Sequence, residues 1–192
     1  WTAEQWRLVL FSDETSFQQF GSNKVRVRRP QGQRFNPRYT CQIVKKSPST
    51  MIWGCISAQG TGDLWFTPRN TTITGAVYLT LLKENLATSM NQLSCQYFQH
   101  DGAPCHRAGL VTKWLEEEEI HILGPWPGNS PDINPIENCW RTLKAKVRDL
   151  KPSSLPDLQE KIRQVWNEKI TTEYCQKLID SMPRRLEAVI AS

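Results

Sequence analysis

Trp6-Arg7-Leu8-Val9-Leu10-Phe11 is an apolar run closed by Ser12-Asp13-Glu14. It reads as a buried strand with acids at its exit, and Phe17 to Phe20 as the start of a second strand. Met51 to Ser57 (MIWGCIS) reads as a strand, Gly60-Thr61-Gly62 as a turn and Asp63 to Thr67 as a further strand. Together they form an antiparallel hairpin beside the first strand. Past Thr74-Gly75, Val77, Leu81, Leu82 and Leu86 share one face of a helix over 76–88. Cys95 to His100 is the next strand, again ending in an acid, Asp101. A helix over 107–119 follows, closed by the solvated acids Glu116 to Glu119, and Ile120 to Leu123 is a short strand. Four prolines and two glycines between 124 and 135 dictate a loop. Ile136, Trp140, Leu143 and Val147, at spacings of three and four, mark the buried face of a helix over 135–149. Lys151 to Pro156 reads as a linker, followed by helices over 156–169 and 172–190, the second interrupted at Pro183. The alternation predicts an α/β chain, a mixed sheet with helices on its faces.

Composition sharpens this picture modestly. With 192 residues, 39% of them hydrophobic, and eight tryptophans, the chain supports one domain with a real core rather than disorder. A formal net charge of +5 permits a polyanionic partner without proving one. The distribution says more. Residues 24–46 hold Lys24, Arg26, Arg28, Arg29, Arg34, Arg38, Lys45 and Lys46 and no acid, and Pro30, Gly32 and Pro37 break any regular element. This is a long basic loop or loose hairpin, suited to phosphate contacts or simply solvated. The six cysteines include no C-x-x-C pair and read as reduced core thiols of a cytosolic or nuclear protein. No apolar stretch reaches the length of a membrane span, and no signal peptide is visible. The first residue is Trp1, not Met, so the chain reads as a fragment.

The candidate chemistry lies in three acids. Asp13 and Asp101 each follow a core strand, and Glu137 sits in the first turn of the helix after the proline-rich loop. If the two strands are neighbours, the aspartates face each other at the rim of the sheet. Carboxylates within about 4–6 Å of one another repel, and without a cation at least one pKa rises. At 4 Å two charges interact by roughly 4 kcal/mol at an effective dielectric of about 20. Hard oxygen ligands with open positions suit Mg²⁺ or Mn²⁺ rather than zinc. Each acid also has a plain structural reading. Asp and Glu after a strand are commonly solvated turn residues. Asn134, Pro135 and Glu137 fit N-cap, first and third helical positions, close to a capping box.

The segments around these acids carry a resemblance. Phe11-Ser12-Asp13-Glu14-Thr15-Ser16-Phe17 resembles the first acidic motif of the Tc/mariner transposases, and Gln99-His100-Asp101-Gly102-Ala103-Pro104-Cys105-His106 resembles the second. Residues 126–140, WPGNSPDINPIENCW, resemble the third and most specific. Met51-Ile52-Trp53-Gly54-Cys55-Ile56 resembles the strand that this family carries between its first two acids. The likeness runs over essentially the whole chain, and the 35 residues between Asp101 and Glu137 fall within the range of the group's D-D-E enzymes. Gly102 departs from the asparagine of many relatives.

The resemblance implies an RNase H-like fold with a central mixed sheet of about five strands, as one catalytic domain over residues 1–192. Residues of about 21–49 would be a clamp-like basic insertion and about 153–192 the C-terminal helices. It implies Asp13, Asp101 and Glu137 as catalytic residues and ligands of two Mg²⁺ ions, with Mn²⁺ as substitute. It implies cut-and-paste transposition: hydrolysis at transposon ends, then attack of the freed 3′-hydroxyl on target DNA at TA sites. Double-stranded DNA is the expected partner, with a homodimer assembled on it, in the nucleus. The family's N-terminal helix-turn-helix region, which reads the transposon ends, is expected to be absent from this chain. Arg26, Arg28, Arg29, Arg34, His106, Arg141, Lys144 and Arg148 are the candidate DNA contacts. For His106 the alternatives are phosphate contact, support of the second acid, or a satisfied structural histidine. Asp132 is expected to shape its loop and Glu14 to be peripheral. Competing readings are a transposase-derived DNA-binding or interaction module without catalysis, and another RNase H-like enzyme such as an integrase or ribonuclease.

Overall fold

The computed structural model describes residues 1–19, 28–39, 48–69, 71–126 and 130–191. A short helix, α1 (Ala3–Trp6), is held by a capping box in which Thr2 Oγ1 accepts from the Gln5 N–H and the Gln5 side chain accepts from the Thr2 N–H. It delivers the chain into β1 (Val9–Gln18), a single ten-residue strand in place of the two expected. Asp13 therefore lies mid-strand rather than at a strand exit.

β2 (Ser49–Ser57) returns antiparallel to β1, pairing Asp13 with Gly54 and Phe17 with Thr50. β3 (Gly60–Thr61) and β4 (Trp65–Phe66) both pair with β2, so Gly60 and Thr61 are strand residues and the bend falls at Ala58 and Gln59. The long helix α2 (Gly75–Gln92) leads to β5 (Tyr97–Gln99), which runs parallel to β1 with Leu10 opposite Phe98. α3 (Gly109–Glu117) and β6 (His121–Ile122) follow, β6 parallel to β5. Helices α4 (Ile136–Asp149), α5 (Leu155–Lys169), α6 (Thr172–Asp180) and α7 (Met182–Ile190) complete the chain. The break at Ser181 comes just before Pro183, which sits in the first turn of α7 as the sequence predicts.

The sheet runs β3-β2-β1-β5-β6 with β4 also on β2, so six strands replace the expected five. Alternation along β1 divides the core. Val9, Phe11 and Phe17 pack against α4, α5 and α6, through Trp140, Leu143, Trp166 and Ile179 among others. Leu10 faces the opposite way, with Trp53, Tyr78, Leu82 and Val111 beneath α2 and α3. Every one of these side chains except Phe17 is at most 1% exposed, and each contributes about 1.5–3 kcal/mol through burial. Cys55, Cys95, Cys105, Cys139 and Cys175 are free thiols, three of them buried.

Candidate active site

Register explains how the acids meet. Phe11 on β1 stands beside Gln99 on β5, and the strands are parallel, so two further residues along each bring Asp13 level with Asp101. β5 stops at Gln99 while β1 runs on, which opens a step in the sheet at the carboxyl end of β5. The carboxyl ends of parallel strands are the usual ligand-binding edge of an α/β sheet. Ser12 Oγ closes the step by donating to the Gln99 carbonyl at 2.9 Å.

The proline-rich loop supplies the third acid. Asn134 is buried, and its Nδ2 donates to the Ser12 carbonyl at 3.2 Å while its Oδ1 accepts from the Ile136 N–H at 3.4 Å. One side chain thus ties the start of α4 to the strand carrying Asp13. Pro135 already has helical dihedrals, so Asn134 acts as the cap. The Glu137 side chain lines a pocket of about 100 Å³ with Asp13, Asp101, Trp126, Ser130, Pro131 and Asn134. Glu137 therefore shares a cavity with the two aspartates, and its charge is felt at Asp13.

Each aspartate is held by an N–H donor. Asp13 Oδ2 accepts from Trp140 Nε1 at 3.0 Å. Asp101 Oδ1 accepts from the Ala103 N–H at 2.9 Å and lies 2.8 Å from His106 Nδ1. Burial, then the charges of Glu14 and Glu137, push the Asp13 carboxyl up to about 7. Hydrogen bonding to His106 holds Asp101 below its ordinary value.

His106 is 3% exposed, with Nε2 lying 3.3 Å from Glu14 Oε1, an ion-pair distance off the line of a good hydrogen bond. Burial pulls the ring down, but Asp101 and Glu14 together raise it to about 10. Tyr78 packs on the ring at 4.1 Å, and His100, whose Nδ1 meets the Tyr78 hydroxyl at 3.1 Å, lies beyond. Burial and the neighbouring His106 charge lower His100 to about 4. His106 is thus buried beside the second acid, its Nδ1 near both the carboxylate and the backbone carbonyl of Asp101 and its Nε2 near Glu14, the arrangement expected of support for that acid. Glu14 is likewise not peripheral. It points to the α2–α3 face of the sheet and flanks His106.

Among the described residues, no three His, Cys, Asp or Glu groups already close on a common point at ligand distance. The three acids border one cavity. The donor set fits a hard divalent cation. It is all carboxylate oxygen, the His106 imidazole sits behind Asp101 and does not line the cavity, and Asp13 is buried beside other acids whose charge a cation would offset.

A second feature runs along the same β1–α4 seam. A groove of about 850 Å³ is lined by Phe17, Gln19, Arg141, Lys144, Arg148 and Lys151, among others. Arg141, Lys144 and Arg148 are exposed and share this groove, as their spacing on one helix face predicts. Lys144 Nζ lies 5.7 Å from the centre of the Phe17 ring. Arg28, Arg29 and Arg34 are exposed and line neither cavity, and Arg34 lies over the Phe35 ring at 5.6 Å. Arg26, with Lys24, Lys45 and Lys46, falls outside the described residues.

Sequence reasoning missed Arg185. From α7 it donates to the Asp132 carbonyl at 3.1 Å and to Asn138 Oδ1 at 2.9 Å, fastening loop and α4 together. The Asp132 contact is made by its backbone carbonyl.

A family model described as DDE superfamily endonuclease matches residues 8–159. The chain belongs to this superfamily and, within it, to the Tc1-type transposases. It is 33% identical to the transposable element Tc1 transposase of Caenorhabditis elegans, over 99% of this chain and 70% of that relative. It is 32% identical to the Tcb1 transposase of Caenorhabditis briggsae, with the same coverage. Among solved structures, the Mos1 transposase paired-end complex with left transposon end superposes with a TM-score of 0.79 at 19% identity, over 96% of this chain and 55% of that one. The Mos1 transposase catalytic domain with Raltegravir and Mg gives 0.69 at 18% identity, over 97% and 83%. The chain thus spans about half the length of the Mos1 protein in the paired-end complex, and its fold is the RNase H-like fold of that catalytic domain.

Proposed function

We propose that this chain is the catalytic domain of a cut-and-paste transposase, cleaving phosphodiesters at transposon ends and joining the freed 3′-hydroxyl to target DNA at TA sites. One observation carries the reading: Asp13, Asp101 and Glu137, from a strand, a strand exit and a helix start, line one pocket in a Tc1-type chain. Asp13 and Asp101 would hold one Mg²⁺ or Mn²⁺ ion, and Asp13 or Glu137 the other. Such ions, when bound, activate the attacking oxygen and offset charge on the leaving one. His106 would hold the orientation of Asp101. Arg141, Lys144 and Arg148 extend a cationic track from the acid pocket along α4, suited to a DNA backbone. Joining two ends calls for two catalytic sites, which favours a homodimer on DNA, and a genomic substrate favours a nuclear setting.

The test is nicking of supercoiled DNA by this chain in Mn²⁺, beside Asp13→Ala, Asp101→Ala and Glu137→Ala. Nicking by the wild type alone supports the reading. Equal background from all four, with no Mn²⁺ binding by calorimetry even when DNA is added, replaces it with a transposase-derived module without catalysis.

A further inference from the structure

From the packing beneath Asp13 we infer that Trp140, seated over Gly54, is a positioning residue that sets the orientation of the Asp13 carboxylate. The inference rests on the acid pocket being a metal site, as proposed above.

Asp13 and Gly54 are opposed residues of the β1–β2 pair, so both face the α4 side of the sheet. The indole of Trp140 comes down from α4 into the space above Gly54. A Cβ placed on Gly54 would lie 2.7 Å from Trp140 Cη2 and 2.9 Å from Leu64 Cδ2, closer than atoms tolerate. Only a bare backbone at residue 54 lets the ring lie this low. In that position its Nε1 reaches Asp13 Oδ2 at 3.0 Å.

The ring has little freedom to leave. Trp140 is 1% exposed and stacks on Trp166 of α5, centroids 5.2 Å apart and planes 25° from parallel. Trp166 is anchored in turn by its own Nε1, which donates to the Gly62 carbonyl at 3.0 Å. A chain of contacts therefore runs from the β3 edge of the sheet through two indoles to one carboxylate oxygen. Trp140 also lies one turn from Glu137 on the same helix, so a single side chain fixes the strand acid relative to the helix acid. An N–H donor of this kind orients a ligand without competing for the metal, and losing such a partner costs about 10–100-fold in affinity.

The test is Mn²⁺ titration of this chain by calorimetry beside Trp140→Phe, which keeps an aromatic ring and removes the N–H. Trp140→Phe should bind Mn²⁺ about 10–100-fold more weakly. Gly54→Ala, which lifts the ring, should follow it. Leu143→Ala, a packing lesion on the same helix, should lose stability but keep wild-type affinity. A second readout needs no metal. In the ¹H–¹⁵N spectrum of the metal-free chain, the indole signal absent from Trp140→Phe should shift most in Asp13→Asn, while tryptophans remote from the pocket, such as Trp1 and Trp114, hold their positions. Wild-type affinity in Trp140→Phe, or an indole signal indifferent to Asp13→Asn, overturns the inference. A wild type that binds no Mn²⁺ sinks the metal reading instead, and the indole shift then decides for or against the brace. If Trp140→Phe does not fold, the Trp140 indole signal is assigned in the wild type by side-chain-to-backbone triple-resonance spectra, and its response to Asp13→Asn then decides.

Discussion

Lowering the pH from 8 to 6 should weaken Mn²⁺ binding by about tenfold, with the loss traceable to Asp13. Burial and the neighbouring carboxylates push this group up to about 7 in the metal-free chain. A bound ion requires the carboxylate, so binding below 7 must expel a proton. About nine tenths of Asp13 is ionised at pH 8 and about one tenth at pH 6, which sets the tenfold ratio, about 1.4 kcal/mol. The histidines beside the pocket do not blur the result. His106 is raised to about 10 and stays cationic over this range, while His100 is lowered to about 4 and stays neutral. Calorimetry in two buffers of different ionisation enthalpy counts the proton directly: about one released per ion at pH 6 and about a tenth at pH 8. Equal affinities at the two pH values, with no proton released, would refute the argument that this buried acid is a ligand. Asp13→Asn should abolish both the binding and its pH dependence.

The same two shifts govern the metal-free fold. Asp13 is raised from 3.8, so its contribution to stability is full below about 4 and lost as pH climbs through 7; His106, raised from 6.5, loses its contribution as pH climbs through 10. The melting temperature without metal should therefore be higher at pH 6 than at pH 8.5, and saturating Mn²⁺ should flatten the Asp13 part of that slope. Leu143→Ala empties a fully buried site under α4 and should cost about 2–5 kcal/mol in urea denaturation. Replacing Arg141, Lys144 and Arg148 together by alanine should weaken duplex binding and flatten its salt dependence. The log–log slope, measured by fluorescence anisotropy, should fall by up to about 0.9 for each phosphate no longer neutralised. An unchanged slope would return those residues to an ordinary polar helix face.

Strong periodicity was the readable part of this fold. The helix carrying Ile136, Trp140, Leu143 and Val147 appears within a residue of its expected limits, because burial of one stripe dictates it. The strands were harder. β1 continues through Asp13 and Glu14 because β2 pairs with it along that length, and a partner forty residues away leaves no local mark. α1 did leave one: Thr2 and Gln5 stand at capping-box spacing, a signal that hydrophobic periodicity alone does not register. Arg185 was beyond reach, since its partners Asp132 and Asn138 are joined to it only through the packing of α7 against the loop.

The candidate site shows why neighbouring acids cannot be ranked by sequence. Asp13 and Glu14 are adjacent in one strand, so alternation sends them to opposite faces of the sheet. The α4 face offers Asp13 an indole donor, a nearby Glu137 and a pocket. The α2–α3 face offers Glu14 a buried histidine that also grips Asp101. The two acids thus act on the same centre from opposite sides, one inside the pocket and one through the ring that orients its neighbour. A one-residue slip of β1 against β2 would exchange them, placing Glu14 under Trp140 and Asp13 against His106. The strand register, held by Gly54 beneath the indole and by Ser12 on the Gln99 carbonyl, therefore selects which acid lines the cavity.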